Sequence, residues 1–122
     1  MVMKNSEIYT TAKNLLEAFA DSSQYLPVRL NFFITKNKNT LLALGQDIDN
    51  ARIQIIQNYG TLDVNTNQYN IPADKIEEAN RELADLFNIE QDIHIDMISI
   101  DNFPPDICLT TGQMNALMFM IE

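Results

Sequence analysis

Asp92, His94 and Asp96 fall at alternate positions of one apolar-polar run, and their side chains are the ones with metal-binding or acid-base chemistry at a regular spacing. On a strand, alternate residues share a side, so two carboxylates and an imidazole would face the same way and could ligate a divalent ion. One flat strand seldom converges three ligands on an ion without help from another element. His94 is the single histidine and no HExxH spacing accompanies it, so the expectation is a polar strand face and no bound metal. Cys108, the single cysteine, would need His94 as its base to act as a nucleophile; set between Ile107 and Leu109, it is expected to be a buried structural thiol. The chain has three glycines and neither a GxxxxGK[ST] nor a GxGxxG loop to cradle phosphate, and no serine-nucleophile motif. These residues predict a protein without catalytic residues or cofactor, with a small metal-dependent enzyme as the last-ranked reading.

Charge points elsewhere. The net charge is −9, and its distribution is uneven. Residues 1–73 carry six acidic and six basic side chains, whereas residues 74–122 carry eleven acidic against Lys75 and Arg81. A basic face for direct nucleic-acid binding is therefore disfavoured. Glu77, Glu78, Glu82 and Asp85 fall on one side of a helical pattern, with Asp92 and Asp96 beyond it, as a candidate surface for a basic protein partner. The plainer account of the same charge is a solvated face that keeps the protein soluble. Glu78 and Glu82 are like charges four apart and cost the helix some stability, which makes a use for them worth testing. A nucleotide-like ligand would instead need donors such as Arg29, Lys36 or Arg52.

The elements that must position these groups are organised around the stretch from Pro27 to Tyr59. Leu30, Ile34, Leu41, Leu44, Ile48, Ala51 and Ile55 recur at spacings of three, four and seven, a heptad-like stripe interrupted by Asn37. Val28 to Ile34 is rich enough in Val, Ile and Phe to pass for a strand, but the helical phase starting at Leu30 favours a helix. Pro27 suits the first turn and Gly60 a left-handed cap. Asn37 would either fix register against a symmetric copy, face solvent, or make a buried hydrogen bond. Such a rod needs a cover, from the same chain or from a second copy.

Before it, Ser6 is the expected N-cap of a helix to about Ala20, burying Ile8, Ala12, Leu15, Leu16 and Phe19, with a turn at Asp21-Ser22-Ser23. After it, residues 61–71 predict a β-hairpin with its tip at Asn65-Thr66-Asn67, whose apolar face (Leu62, Val64, Tyr69, Ile71) needs a helix to pack on. A helix over 74–87 follows, with Ile76, Ala79, Leu83, Leu86 and Phe87 inward. Residues 92–100 predict a strand, with either a bulge near Met97-Ile98 or burial on both faces where the alternation changes phase, and this strand is expected to join the hairpin in one small antiparallel sheet. Thr110 and Gln113 have capping-box spacing before a last helix that is apolar nearly all round. Met114, Leu117, Met118 and Ile121 are therefore the candidate contacts of a homo-oligomer. The fold expected is α+β in one domain over 1–122: about four helices, one of them long and central, with a small antiparallel sheet.

The lone cysteine, the absence of a secretory signal and the lack of any apolar run near the roughly 18 residues needed to cross a bilayer suggest a soluble, cytoplasmic protein with no membrane partner. The order of elements, with Leu26-Pro27-Val28-Arg29-Leu30 opening a long helix through Thr35-Lys36-Asn37, then Tyr59-Gly60 and a hairpin, then Leu109-Thr110-Thr111 and an apolar helix ending at Ile121-Glu122, resembles small uncharacterised proteins of phages and prophages of Gram-positive bacteria. Acids stand between residues 74 and 106 where such proteins would be mildly basic. The resemblance implies an accessory role in an infected cell's cytoplasm. The function expected is a phage-encoded binding protein that inhibits a host defence factor by binding the protein or its nucleotide signal; the alternative is an assembly component of the virion.

Overall fold

A computed structural model describes residues 1–21 and 24–122; of the turn expected at Asp21-Ser22-Ser23, Ser22 and Ser23 lie outside the described residues. In chain order the elements are β1 (Val2–Lys4), α1 (Asn5–Ala18), α2 (Val28–Tyr59), β2 (Thr61–Asp63), β3 (Gln68–Asn70), α3 (Ile76–Asn88), β4 (Glu90–Asp92) and α4 (Thr111–Leu117), with 3₁₀ turns at Ile100–Asn102 and Met118–Met120. The fold is α+β, as the residue pattern predicts.

Helix α2 has 32 residues, about 48 Å at 1.5 Å per residue. Its stripe is buried at Leu30, Ile34, Asn37, Leu41, Gly45 and Ile48, after which no α2 residue is fully buried. Helix α1 covers the buried portion and runs antiparallel to it. Tyr9 Oη lies 3.3 Å from Asp49 Oδ1, and Leu16 shares a surface cleft with Leu42 and Gly45. Ile8, Ala12 and Leu15 of α1 enter a core completed by Met3, Ile93, Ile95, Ile98, Leu117 and Met120. Leu16, expected inside, is exposed. Lys4, not Ser6, is the N-cap: β1 hands directly to α1, Glu7 accepts from the Lys4 N–H at 3.1 Å, and Asn5 is buried with its amide donating to the Leu86 carbonyl at 2.8 Å.

The expected single sheet is instead two separate two-stranded antiparallel ribbons. β2 pairs with β3 as the predicted hairpin, Leu62 opposite Tyr69, with Asn67 in the left-handed region (φ 56°) at its tip. β4 pairs with β1, Met3 opposite Gln91, a partner that a three-residue polar-flanked start did not signal. Of the strand expected over 92–100 only Asp92 is laddered, as the last residue of β4; residues 93–97 lie outside any ladder, and Ile98 makes a single parallel bridge to Ile121. The separation follows from α2. The 93–98 segment is held at Asn37, and the hairpin begins beyond Tyr59, about 33 Å further along the helix axis.

The two ends of α2 also differ from expectation. Pro27 is the N-cap rather than a first-turn residue. Gly60 has φ −101° and ψ 163°, extended and not left-handed. Glycine is required there for space: a Cβ would sit 2.8 Å from the Ile56 carbonyl oxygen and 3.3 Å from Tyr69 Cβ. The hairpin's apolar face is largely uncovered: Leu62, Val64 and Tyr69 are exposed and only Ile71 is half-buried. In α3 only Ala79 of the expected inner face is fully buried; Leu83, Leu86 and Phe87 are half-buried and Ile76 is exposed. Among the described residues no helix is long and apolar enough to cross a membrane.

Candidate functional site

The backbone around Asp96 is organised by Asn37, a residue of α2 that is 1% exposed. Its amide donates to the Asp96 carbonyl at 3.0 Å while its oxygen accepts from the Asp96 N–H at 2.9 Å. One carboxamide thus meets both backbone groups of Asp96, as a neighbouring strand would in a ladder. The same amide reaches Met120 Sδ at 3.5 Å, tying the C-terminal segment to the centre of α2. Of the roles open to Asn37, the structure shows the buried hydrogen bond. The alternation changes phase at Met97-Ile98, where the residue pattern places it: Ile93, Ile95 and Ile98 are buried, while Met97 turns outward.

The Asp92, His94, Asp96 array divides. Asp92 lies 3.1 Å from the amino group of Met1. Asp96 Oδ2 lies 3.1 Å from Lys36 Nζ, and its Oδ1 lies 3.2 Å from His94 Nε2. The hydrogen bond from Lys36 holds the Asp96 carboxyl below its ordinary value of 3.8; partial burial opposes this and His94 adds to it. A lysine ammonium on one Asp96 oxygen occupies the position a cation would need. Among the described residues no three His, Cys, Asp or Glu side chains are grouped to hold a metal ion.

Cys108 is exposed, contrary to the buried thiol expected between two apolar neighbours. The loop 103–110 lies on the surface beside the start of α2, so apolar neighbours in sequence do not bring burial. The Cys108 carbonyl accepts from Gln24 Nε2 at 3.1 Å, and Cys108 lines a cavity of about 460 Å³ with Tyr25, Pro27, Pro104 and Ile107; His94 is not part of that lining.

Glu77, Glu78, Glu82 and Asp85 are all exposed on α3. Glu77 makes one long contact of 3.8 Å with Arg81. Glu82 and Glu78 lie near Tyr59 at the end of α2. Partial burial first, and then the charges of Glu82 and Glu78, raise that phenol above its ordinary 10.0. Asp92 and Asp96 do not extend this face, since they are engaged with the Met1 amine and Lys36. The cations a nucleotide ligand would need are each engaged as well. Arg29 stacks over the Phe33 ring at 5.9 Å, Lys36 pairs with Asp96, and Arg52 Nε is 2.9 Å from Asp49.

The last helix is capped as its residues predict, Thr110 Oγ1 accepting from the Gln113 N–H at 3.1 Å and Gln113 Oε1 from the Thr110 N–H at 3.0 Å. Of the four candidate oligomer contacts, Leu117 is fully buried in the chain's own core, Met114 and Ile121 are half-buried, and Met118 is 61% exposed. The apolar surface of this segment is thus largely covered within one chain. Gln113, buried, also forms a reciprocal amide pair with Gln24 and donates to the Ala18 carbonyl at 2.9 Å. That pairing had no sequence signal beyond the cap itself; Asn37 had one, a polar residue at an inward position of an apolar stripe.

No protein-family model, no curated protein and no solved structure matches the chain.

Proposed function

We propose that this protein is a non-enzymatic binding protein whose acidic α3 face docks on a basic surface of a protein partner. The element order that resembles phage accessory proteins suggests that the partner is a host defence factor, which the binding inhibits. The observation that carries the reading is the outward face of α3. Glu77, Glu78, Glu82 and Asp85 stand together in solvent with a single long contact to a cation, Arg81. Clustered like charges destabilise a helix slightly, and a basic partner would relieve that repulsion. The engagement of Arg29, Lys36 and Arg52 within the chain favours a protein over a phosphate-bearing signal as the ligand.

The test is capture of host proteins on immobilised protein, followed by binding kinetics of the captured protein at two ionic strengths. Association is expected to slow with salt and with Glu78→Lys/Glu82→Lys, and dissociation to change less. A captured protein whose association is indifferent to both salt and the reversal overturns the reading.

A further inference from the structure

The end of the molecule beyond Ile48 carries apolar surface that the fold does not use. Val64 is 83% exposed at the hairpin tip and Leu62 is 42% exposed on β2. Tyr69, the cross-strand partner of Leu62, is also exposed, and so are Ile53 of α2 and Ile76, the first residue of α3. Leu62 and Tyr69 share a face because directly paired residues point the same way. As a two-stranded ribbon, the hairpin also presents an outer edge on each strand with no strand partner among the described residues.

The charge around this surface says what can cover it. Asp63, Asp74, Glu77, Glu78 and Glu82 accompany it in residues 61–82, against Lys75 and Arg81. A second copy seated there would bring the same acids and meet like charge, whereas a basic segment would meet opposite charge. We infer that the hairpin and the start of α3 form an apolar docking platform for a basic partner segment bearing large apolar side chains, with the acids as its rim. This rests on the proposed binding function and deepens it. The acids of α3 steer the partner, and Leu62, Val64, Tyr69 and Ile76 hold it once it has arrived.

Two synthetic peptides of equal length and charge serve as probes of the full chain, one alternating lysine with leucine and the other lysine with serine. Binding is followed by calorimetry and by amide and methyl chemical shifts. The lysine–leucine peptide is expected to bind at least about tenfold more tightly, because its leucines bury apolar area against the platform. The shifts are expected at Leu62, Val64, Tyr69 and Ile76. Val64→Asp should remove the preference, and the milder Val64→Ser should reduce it; Val64 is in solvent, so folding, checked by circular dichroism, should be kept in both variants. Glu78→Lys/Glu82→Lys should weaken both peptides alike. Equal affinity for the two peptides, shifts centred elsewhere, or a preference that survives Val64→Asp overturns the platform. So does a doubled mass of the wild type that Val64→Asp halves, which would make a second copy the occupant. If the charge reversal weakens both peptides while Val64→Asp changes nothing, the platform fails and the acidic docking face stands. If Val64→Asp acts and the reversal does not, the platform stands and the steering role of α3 fails.

Discussion

At the scale of single residues, three buried carboxamides join segments far apart in sequence. Asn5 binds the end of α3, Asn37 the 96 segment and Met120, and Gln113 the last residue of α1 and Gln24 beyond it. Each has its hydrogen-bonding groups met, and among the described residues no buried side-chain polar atom lacks a partner. Removing one side of such an arrangement leaves the other buried and unpaired, which costs more than the bond itself contributes. Asn37→Ala should therefore lower stability by about 3 kcal/mol in urea denaturation, since the Asp96 N–H and carbonyl both lose their partner. Asp96 adds a dependence on pH. Its carboxyl is held below its ordinary 3.8 in the folded protein, so the folded state favours the ionised form. That contribution is fully present above pH 3.8 and is lost as pH falls from there through the folded value. Lys36→Met removes the chief cause, so its stability relative to wild type should be lower at neutral pH and should converge with it in acid. Urea midpoints across that range measure it.

At the scale of elements, α2 shows where glycine limits a helix and where it does not. Gly45 is buried in the middle of α2, yet a Cβ built there meets nothing within 4 Å. Gly45→Ala should raise stability by about 0.5–1 kcal/mol through lower chain entropy in the unfolded state and better helix propensity. Gly60→Ala should do the opposite, by about 1–3 kcal/mol, because its Cβ would press on the Ile56 carbonyl, which is backbone and cannot swing aside. Thermal unfolding of the two variants beside the wild type tests both signs together. Gly60 matters to the platform too, since it sets the angle at which the hairpin leaves the helix.

At the scale of the whole molecule, the C-terminal segment is interior to its own chain. Leu117 and Met120 fill the core between α1 and α2, and the Ile98 N–H donates to the Met120 carbonyl at 2.8 Å. Leu117→Asp would place an unpaired charge in that core and should unfold the single chain, with loss of circular dichroism. Met118→Asp faces solvent and should leave the fold intact. Light scattering then reads self-association separately from folding: a mass above 13.9 kDa that falls to it in Met118→Asp would place a copy on that surface.

The residue pattern by itself determined the helices. The stripe from Leu30 to Ile48, the Thr110–Gln113 cap and the hairpin's alternation are local signals, and a helix or turn is decided by neighbours within four residues. It also determined the acidic outward face of α3, because that face is a consequence of helical periodicity. What only the tertiary structure decided is which distant segments meet. Nothing near Val2 to Lys4 marks it as the partner of Glu90–Asp92, since a three-residue strand carries too little pattern to name its pair. Cys108 is outside despite apolar neighbours, because exposure depends on what packs over a loop and not on what flanks it. The hairpin could not join the later strand for a reason of distance, the length of α2 between Asn37 and Gly60. That same length leaves Leu62, Val64 and Tyr69 in solvent: an alternating pattern says that one face is apolar, and only the path of the rest of the chain says whether anything arrives to cover it.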